Sequence, residues 1–412
     1  VKRPLTGPVA GRDTDRLTPG PDRPPGTGPL LPRTPLFPEA LRGTFLDRPN
    51  RFVIRCALAG RTVEAYLPNP GRLWELLLPG RIVHLVPRPP GGKACLTHTA
   101  LAVEREGIPL LLHTHLNNAV AADLIQRRLV PGLEEAKLVR PEVKVGRSRF
   151  DFLLEFRGRP FYLEVKSCTL VGRRIAMFPD AVTERGRRHL EELAELGRQG
   201  TACGVLFLIH WPQARYFLPD YHTDPAFAGT FAAVRHEIML KALSLSWQPD
   251  LSLAPEVREA AIPWELLAAE ARDAGCYLLS LRIPRDRTLR VGSLGERLFP
   301  AGFYVYVGSA RHNLENRLAR HLRKQRQKRW HIDDLKAHAD RVKALAIRTG
   351  APLEHELARA LARIADGCVD AFGSSDCRCP GHLFHFRSDP LRDPDFIDLL
   401  LDFRINRLEA CL

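Results

Sequence analysis

Between residues 150 and 165 the chain alternates apolar and polar positions in two runs, 150–156 and 161–165, broken by Arg157, Gly158, Arg159 and Pro160. Period-two alternation around such a break predicts a β-hairpin. One face would carry Phe152, Leu154, Phe156, Phe161, Leu163 and Val165. A one-residue slip would exchange those side chains for charges in the core, so the pattern sets the face. Pairing Phe156 with Phe161 puts Asp151 opposite Lys166 and Leu153 opposite Glu164. Asp151, Glu164 and Lys166 then share the other face, with the two carboxylates as diagonal neighbours about 7 Å apart.

Upstream, from Thr44, short strand-like runs at 51–58, 62–67, 81–86 and 96–103 alternate with Gly/Pro turns and a helical insert at 73–78. They predict a five-stranded OB-like β-barrel over residues 44–112. Residues 113–130 read as a helix with Val120, Leu124 and Ile125 on one face, a second helix runs from beyond Ala181 to Leu196, and 201–210 is an apolar strand suited to mid-sheet. With the hairpin these make an α/β domain over 113–247. Residues 248–271 open on Pro, Ser, Ala and Glu and read as a linker. Strands at 278–283 and 303–308 and a helix from Glu354 to Ile364 predict a small α+β domain over 272–390, followed by a C-terminal tail, 391–412. Residues 1–43, rich in Pro, Gly, Arg and Thr without apolar periodicity, read as a disordered leader. The start at Val1 suggests a literally translated alternative start codon, with the true start near Leu41.

Composition adds a partner class. At 412 residues and 45% hydrophobic content the chain can fill two or three cores. Its formal charge of +14 and pI near 9.7 point to a polyanion. Only ten of the 61 basic residues are lysine; the arginine bias suits bidentate phosphate contacts, and a G+C-rich genome explains it equally well. No apolar run approaches a membrane span, and the first 40 residues lack the apolar segment of a signal peptide. Nine cysteines without framework spacing read as reduced thiols. A cytoplasmic enzyme or nucleic-acid binder is expected, with no membrane and the oligomeric state left open.

Two carboxylates and a lysine on one patch suit a hard divalent cation, Mg²⁺ or Mn²⁺, that neutralises a phosphodiester while the lysine steers the attacking water. On spacing alone the same residues also fit a solvated strand face with a cross-strand ion pair. The flanking sequence decides between them. PNPGR at 68–72, SRFDF at 148–152, YLEVKSCTL at 162–170 and FPDAVTERGRRHL at 178–190 resemble the sugar fermentation stimulation protein A family over roughly residues 45–255. The resemblance implies an OB-like barrel followed by a PD-(D/E)XK restriction-nuclease-like domain, associated with DNA binding and sugar-utilisation genes. It also implies that Asp123 on the 113–130 helix lends a third carboxylate to the metal, a surface helical aspartate being the plainer alternative. Arg185 and His189, four apart on the second helix, would clamp phosphate or serve the leaving oxygen. Arg55 and Arg72 are candidate nucleic-acid contacts on the barrel, as well as plain surface arginines.

A second resemblance covers roughly residues 272–387. FPAGFYVYVGSA at 299–310, RLARHLR at 317–323, RWHID at 329–333 and FGSSDCRCPGHLF at 372–384 resemble a small branch of GIY-YIG nucleases. By that likeness Tyr277 and Tyr306 help activate water, Arg317 with His321 meets phosphate, and Glu354 binds one divalent metal. Glu356 is the rival ligand, because the family has Cys after the glutamate where this chain has His355. Core packing is the plain alternative for the tyrosines. Eight Arg/Lys between Arg311 and Arg329 face only Glu315, and Arg317, Arg320, Lys324 and Lys328 share one helical face, a density that favours a phosphate backbone. Cys377, Cys379 and His382 have ligand chemistry appropriate to zinc, with His331 or His385 as a fourth donor and buried thiols with a packed histidine as the alternative. The expected function is a DNA-binding protein with metal-dependent nuclease activity at Asp151, Glu164 and Lys166. The alternative is a non-catalytic DNA-binding regulator of sugar-utilisation genes.

Overall fold

The computed structural model describes residues 40–88, 96–323, 328, 330–374 and 377–412. The expected leader lies outside the described residues up to residue 39, and 41–43 already belong to the first strand. β1 (Leu41–Asn50), β2 (Val53–Leu58), β3 (Arg61–Tyr66), β4 (Ile82–Pro87) and β5 (His98–Arg105) run in the order β3-β2-β1-β4-β5. A parallel β3–β5 pairing, Ala65 with His98 and Tyr66 with Thr99, closes them into a barrel around Phe45, Ile54, Val83, Leu85 and Val103. The closing contact spans two residue pairs, so the barrel is partly open, as in OB folds. A sixth strand, β6 (Ile108–Leu111), extends β5 as a hairpin and leads out. Leu73, Leu76 and Leu78 are buried as the pattern requires, but 73–78 is not a helix: 74–76 form a turn, and Leu73 at φ 53° lies outside helical space.

The second unit begins with α1 (Asn117–Gln126), β7 (Lys137–Val145), β8 (Ser148–Phe156) and β9 (Arg159–Cys168). Next come β10 (Leu170–Val171), β11 (Ile175–Phe178), α2 (Glu184–Arg198), β12 (Ala202–Ile209), β13 (Tyr216–Pro219), α3 (Pro225–Ala233), β14 (Met239–Trp247) and β15 (Leu253–Glu259). The main sheet has the order β15-β14-β12-β9-β8-β7, with β12 parallel to both neighbours. Val205 to Ile209 of β12 are fully buried, because α1 covers one face through Val120, Leu124 and Ile125, and α2 with α3 covers the other. The stretch expected as a linker is not one: β15 pairs with β14, and α4 (Trp264–Glu270) buries Leu266 and Leu267.

The third unit is an antiparallel sheet, β20-β16-β19-β22-β21. It is built from β16 (Gly275–Ile283), a β17 (Arg287–Arg290) and β18 (Glu296–Phe299) ribbon, β19 (Gly302–Ala310), α5 (Leu314–Leu322), α6 (His331–Lys336), β20 (Arg341–Arg348), α7 (Glu354–Ala362), β21 (Gly367–Cys368) and β22 (Leu383–Phe386). Leu314, Leu318 and Leu335 pack on one face of the sheet and Leu357 and Leu361 on the other. The expected tail is also structured: α8 (Pro394–Arg404) buries Phe396, Ile397 and Leu400 in a core continuous with the barrel and the second unit. Among the described residues no helix is long and apolar enough to cross a membrane.

Polar contacts join the three units. Arg404 donates from Nη2 to both oxygens of fully buried Asp220 (3.2 and 3.3 Å) and to Thr223 Oγ1 (2.7 Å). His222 Nδ1 accepts from the Arg348 backbone N–H while Nε2 donates to the Arg404 carbonyl, so this imidazole is neutral; burial, then the charge of Arg404, hold its pKa well below the ordinary value. Between barrel and second unit, Arg72 donates to the Asp180 carbonyl and to Thr223 Oγ1, and Asp180 Oδ2 accepts from the Leu73 N–H. A Cβ on Gly71 would stand 2.4 Å from Asp180 Oδ2, so this contact excludes a side chain there.

Candidate functional site

The hairpin forms, but in a different register from the one expected. Phe156 pairs with Arg159, Leu154 with Phe161 and Phe152 with Leu163. Arg157 (φ 52°) and Gly158 (φ 73°) make a two-residue turn with both residues at positive φ, whose twist matches the strands; Arg159 and Pro160 belong to β9, not to the loop. A two-residue shift preserves parity, so Phe152, Leu154, Phe161, Leu163 and Val165 still reach the core beneath α1. It also moves Glu164, rather than Lys166, to the level of Asp151.

The β8–β9 ladder ends at Phe152 and Leu163, and the Asp151 side chain takes over: its Oδ2 accepts from the Val165 N–H at 2.7 Å. Its Oδ1 accepts from Asn118 Nδ2 of α1 at 2.9 Å. Burial, then the charge of Glu164, raise the Asp151 pKa above the ordinary value. Glu164 is 4% exposed. Its Oε1 receives Lys166 Nζ and, at 2.6 Å, His189 Nδ1, whereas Oε2 is buried with no donor from the described residues. Burial pushes this carboxyl up, but the His189 hydrogen bond and the Lys166 charge outweigh it, and the pKa is lowered. Two hard carboxylate groups, one with an oxygen unengaged, are the chemistry that selects Mg²⁺, Mn²⁺ or Ca²⁺ over softer ions.

α2 supplies His189. Thr183 caps the helix by accepting from the Gly186 N–H, and its own N–H donates to Asp224 Oδ2. His189 is buried beside Leu190, against Glu164 and the Phe150 ring. Arg185 Nε approaches His189 Nε2 at 3.4 Å. A guanidinium only donates, so Nε2 carries the lone pair and Nδ1–H points at Glu164. Asp123, expected as a third metal carboxylate, instead directs its Oδ2 to Arg127 one turn on, at 3.1 Å.

The candidate nucleic-acid residues are dispersed. Arg55 is engaged by Glu64 (3.0 Å) on the next strand. Arg72 stacks over Trp74 and is part of the barrel's join to the second unit. Lys324 lies outside the described residues. α5 ends at Leu322, so Lys328 is not on it; Lys328 pairs with Asp334 (2.7 Å), and Arg320 pairs with Asp333 (2.9 Å) and lies over Trp330. Two described members of the basic run, Arg320 and Lys328, are thus opposed in space by α6, which follows it in sequence.

In the third unit Tyr277 OH meets His321 Nε2 at 3.0 Å, and the Tyr277 and Tyr306 rings lie 6.3 Å apart. Burial lowers the His321 pKa to about 4 and raises that of Tyr277, so both are neutral at pH 7. Arg317 donates to the Ser309 carbonyl at 2.8 Å. Gly308 lies so close to the Tyr277 hydroxyl that a Cβ there would stand 2.4 Å from it. Glu354 lines a cleft of about 970 Å³ with Arg272, Arg311 and His355. Its Oε2 accepts from Ser309 Oγ and its Oε1 lies 3.3 Å from His382 Nδ1. Its neighbour Glu356 is exposed. The residues that group with Cys377, Cys379 and His382 are not His331 or His385, which lie against Phe372 and Tyr304, but His355. Asn118 was not legible as a site residue; His355 had a signal, since it occupies the position where the resembled family has Cys.

Three family models match. Residues 46–111 match the SfsA N-terminal OB domain, 115–250 the sugar fermentation stimulation protein RE domain, and 276–401 a domain of unknown function, DUF123. The sugar fermentation stimulation protein homolog of Methanothermobacter thermautotrophicus is 35% identical over 232 residues, 56% of this chain and 96% of that protein. The homolog of Saccharolobus solfataricus is 41% identical over 186 residues, 45% of this chain and 70% of that protein. A solved structure of Pyrococcus furiosus SfsA in complex with Ca2+ is similar at a TM-score of 0.50 and 31% identity, over 54% of this chain and 95% of that one. With the barrel, the α/β sheet and the carboxylate pair all inside the matched region, the chain belongs to the sugar fermentation stimulation protein family and carries a DUF123 domain behind it.

Proposed function

We propose that the second unit is a divalent-cation-dependent nuclease acting on DNA, with Asp151 and Glu164 as the metal ligands. The observation that carries this reading is Glu164 Oε2, a buried carboxylate oxygen that receives no donor among the described residues while its twin holds two. Buried polar atoms are nearly always paired, and a bound cation is one of the few things that repays such an exception. The Pyrococcus furiosus relative is described in complex with Ca2+, an oxygen-seeking ion of the same class. A divalent ion bound there would offset charge on a phosphodiester and make water a better nucleophile. His189 holds Glu164 in place through Nδ1, and the Lys166 ammonium adds positive charge beside the carboxylates. Exposed Arg185, at the start of α2, is the phosphate contact of this arrangement. DNA as substrate is supported by the net charge of +14, by the barrel, and by a cleft of about 660 Å³ between barrel and third unit. Arg51, Trp74, Arg341 and Lys343 line that cleft; cations beside an aromatic ring suit a backbone and a stacked base.

The test is incubation of the full chain with Mg²⁺ or Mn²⁺ and labelled single-stranded, duplex and branched DNA. Cleavage abolished by chelator and by Asp151→Asn is expected. Binding that never leads to cleavage would overturn the nuclease reading in favour of a non-catalytic DNA-binding regulator.

The raised pKa of Asp151 gives this site a pH signature. A carboxyl whose pKa is raised keeps its proton above the ordinary aspartate value of about 4, and the cation must displace it. Affinity for Mn²⁺ is therefore expected to climb with pH until Asp151 is fully ionised, and binding at weakly acid pH to release protons. Calorimetry in two buffers of different ionisation enthalpy reads that release. Equal heats in both buffers across the acid range would show that Asp151 is not a ligand.

A further inference from the structure

We propose that His355, Cys377, Cys379 and His382 form a closed structural zinc site in the third unit, separate from the carboxylate pair of the second. The four donor atoms lie within 4.8 Å of one another. Cys377 Sγ stands 3.5 Å from His382 Nε2, and Cys379 Sγ 3.6 Å from His355 Nδ1. A tetrahedron with zinc–sulfur bonds of about 2.3 Å and zinc–nitrogen bonds of about 2.0–2.1 Å has sulfur-to-nitrogen edges of about 3.5 Å. Two independent thiol–imidazole hydrogen bonds would account for those two distances, but they would not require both pairs to converge on one point. Two sulfurs and two nitrogens in a tetrahedral set select zinc.

The surroundings have the second layer that such sites use. With Nε2 turned to the sulfurs, His382 has its buried Nδ1 3.3 Å from Glu354 Oε1, within ion-pair reach though without an aligned hydrogen bond, so carboxylate, histidine and sulfurs follow the order of a carboxylate–histidine–metal site. Glu354 is held in turn by Ser309 of β19. The site thus ties together the first turn of α7, which carries His355, the loop leading into β22, and the central strand β19. Residues 377–380 form only bends, so a metal is the strongest tie available to them. Four protein donors leave no open position, which makes the role structural rather than catalytic. It assigns Glu354 to orienting His382.

The full chain, purified without chelator, is expected to contain about one zinc per molecule by elemental analysis. Replacing zinc with Co²⁺ should give the intense visible bands of a tetrahedral ion together with thiolate-to-metal charge transfer. Cys379→Ser and His355→Ala should lower the content to near zero. Exposed Cys411→Ser and the second-unit variant Asp151→Asn should leave it unchanged. His355→Cys, which offers a third thiolate, should retain the metal and keeps the test informative if Cys379→Ser does not fold. A wild-type chain that holds no zinc and takes none from a chromophoric chelator overturns the proposal, as does zinc that survives both ligand substitutions.

Discussion

Glu164→Gln should reduce metal-dependent DNA cleavage on the order of 100-fold or more while the chain stays folded. The amide keeps the acceptor at Oε1 for the His189 Nδ1–H, so the contact between β9 and α2 survives. At the other position an N–H₂ replaces Oε2, the oxygen of this carboxylate that none of the described residues engages. An amide hydrogen there repels a cation and removes one negative charge from its shell. Metal ions contribute several kcal/mol of transition-state stabilisation in such reactions, and about 1.4 kcal/mol is tenfold in rate. Two readouts keep the outcome clear. Ca²⁺ or Mn²⁺ should raise the melting temperature of the parent but not of the variant, whereas melting in chelator should differ little between the two. Undiminished cleavage by Glu164→Gln would remove this carboxylate from the reaction.

Arg404→Ala should be the most damaging single substitution away from the candidate site, costing about 3–5 kcal/mol. Asp220 is 0% exposed, and Arg404 reaches both of its oxygens and Thr223 from one guanidinium nitrogen. Removing the cation leaves a carboxylate in the core without its main partner, and the penalty comes from that stranded charge more than from the lost attraction. The pair Asp220→Asn with Arg404→Met should therefore recover most of the loss, because the charge leaves with its partner. Denaturant melts followed by separate probes on the units suit this chain, since three units need not unfold together. If the double substitution is as damaging as Arg404→Ala alone, the stranded charge is not the cause.

The carboxylate hairpin was legible because alternation depends only on parity. A register wrong by two residues still set Phe152, Leu154 and Leu163 inward and kept Asp151 and Glu164 close. The register itself was not legible, because arginine at positive φ in a two-residue turn has no sequence signal and Arg159-Pro160 reads as loop. Charge misled for a related reason. Along the chain the basic stretch after Arg311 faces only Glu315, yet Asp333 and Asp334 of the following helix pair with Arg320 and Lys328. Residues 253–270 and 394–404 read as connector and tail because their apolar side chains, Leu266, Leu267, Phe396 and Leu400 among them, answer to partners far away in sequence. The fourth member of the thiol–imidazole cluster was missed on the same account: His355 lies 24 residues before Cys379 and joins it only once α7 has packed.

The tight apposition of Gly71 and Asp180 has a bearing on how the family's strongest motifs are understood. PNPGR and FPD lie more than a hundred residues apart, yet Arg72, Leu73 and Asp180 interlock as one joint. At these residues the two motifs record the fit of barrel to second unit, while the helix that FPD leads into carries Arg185 and His189 of the candidate site. Anyone grafting the barrel of one relative onto the body of another would have to transplant both halves of that joint together, or the hybrid would lose its alignment.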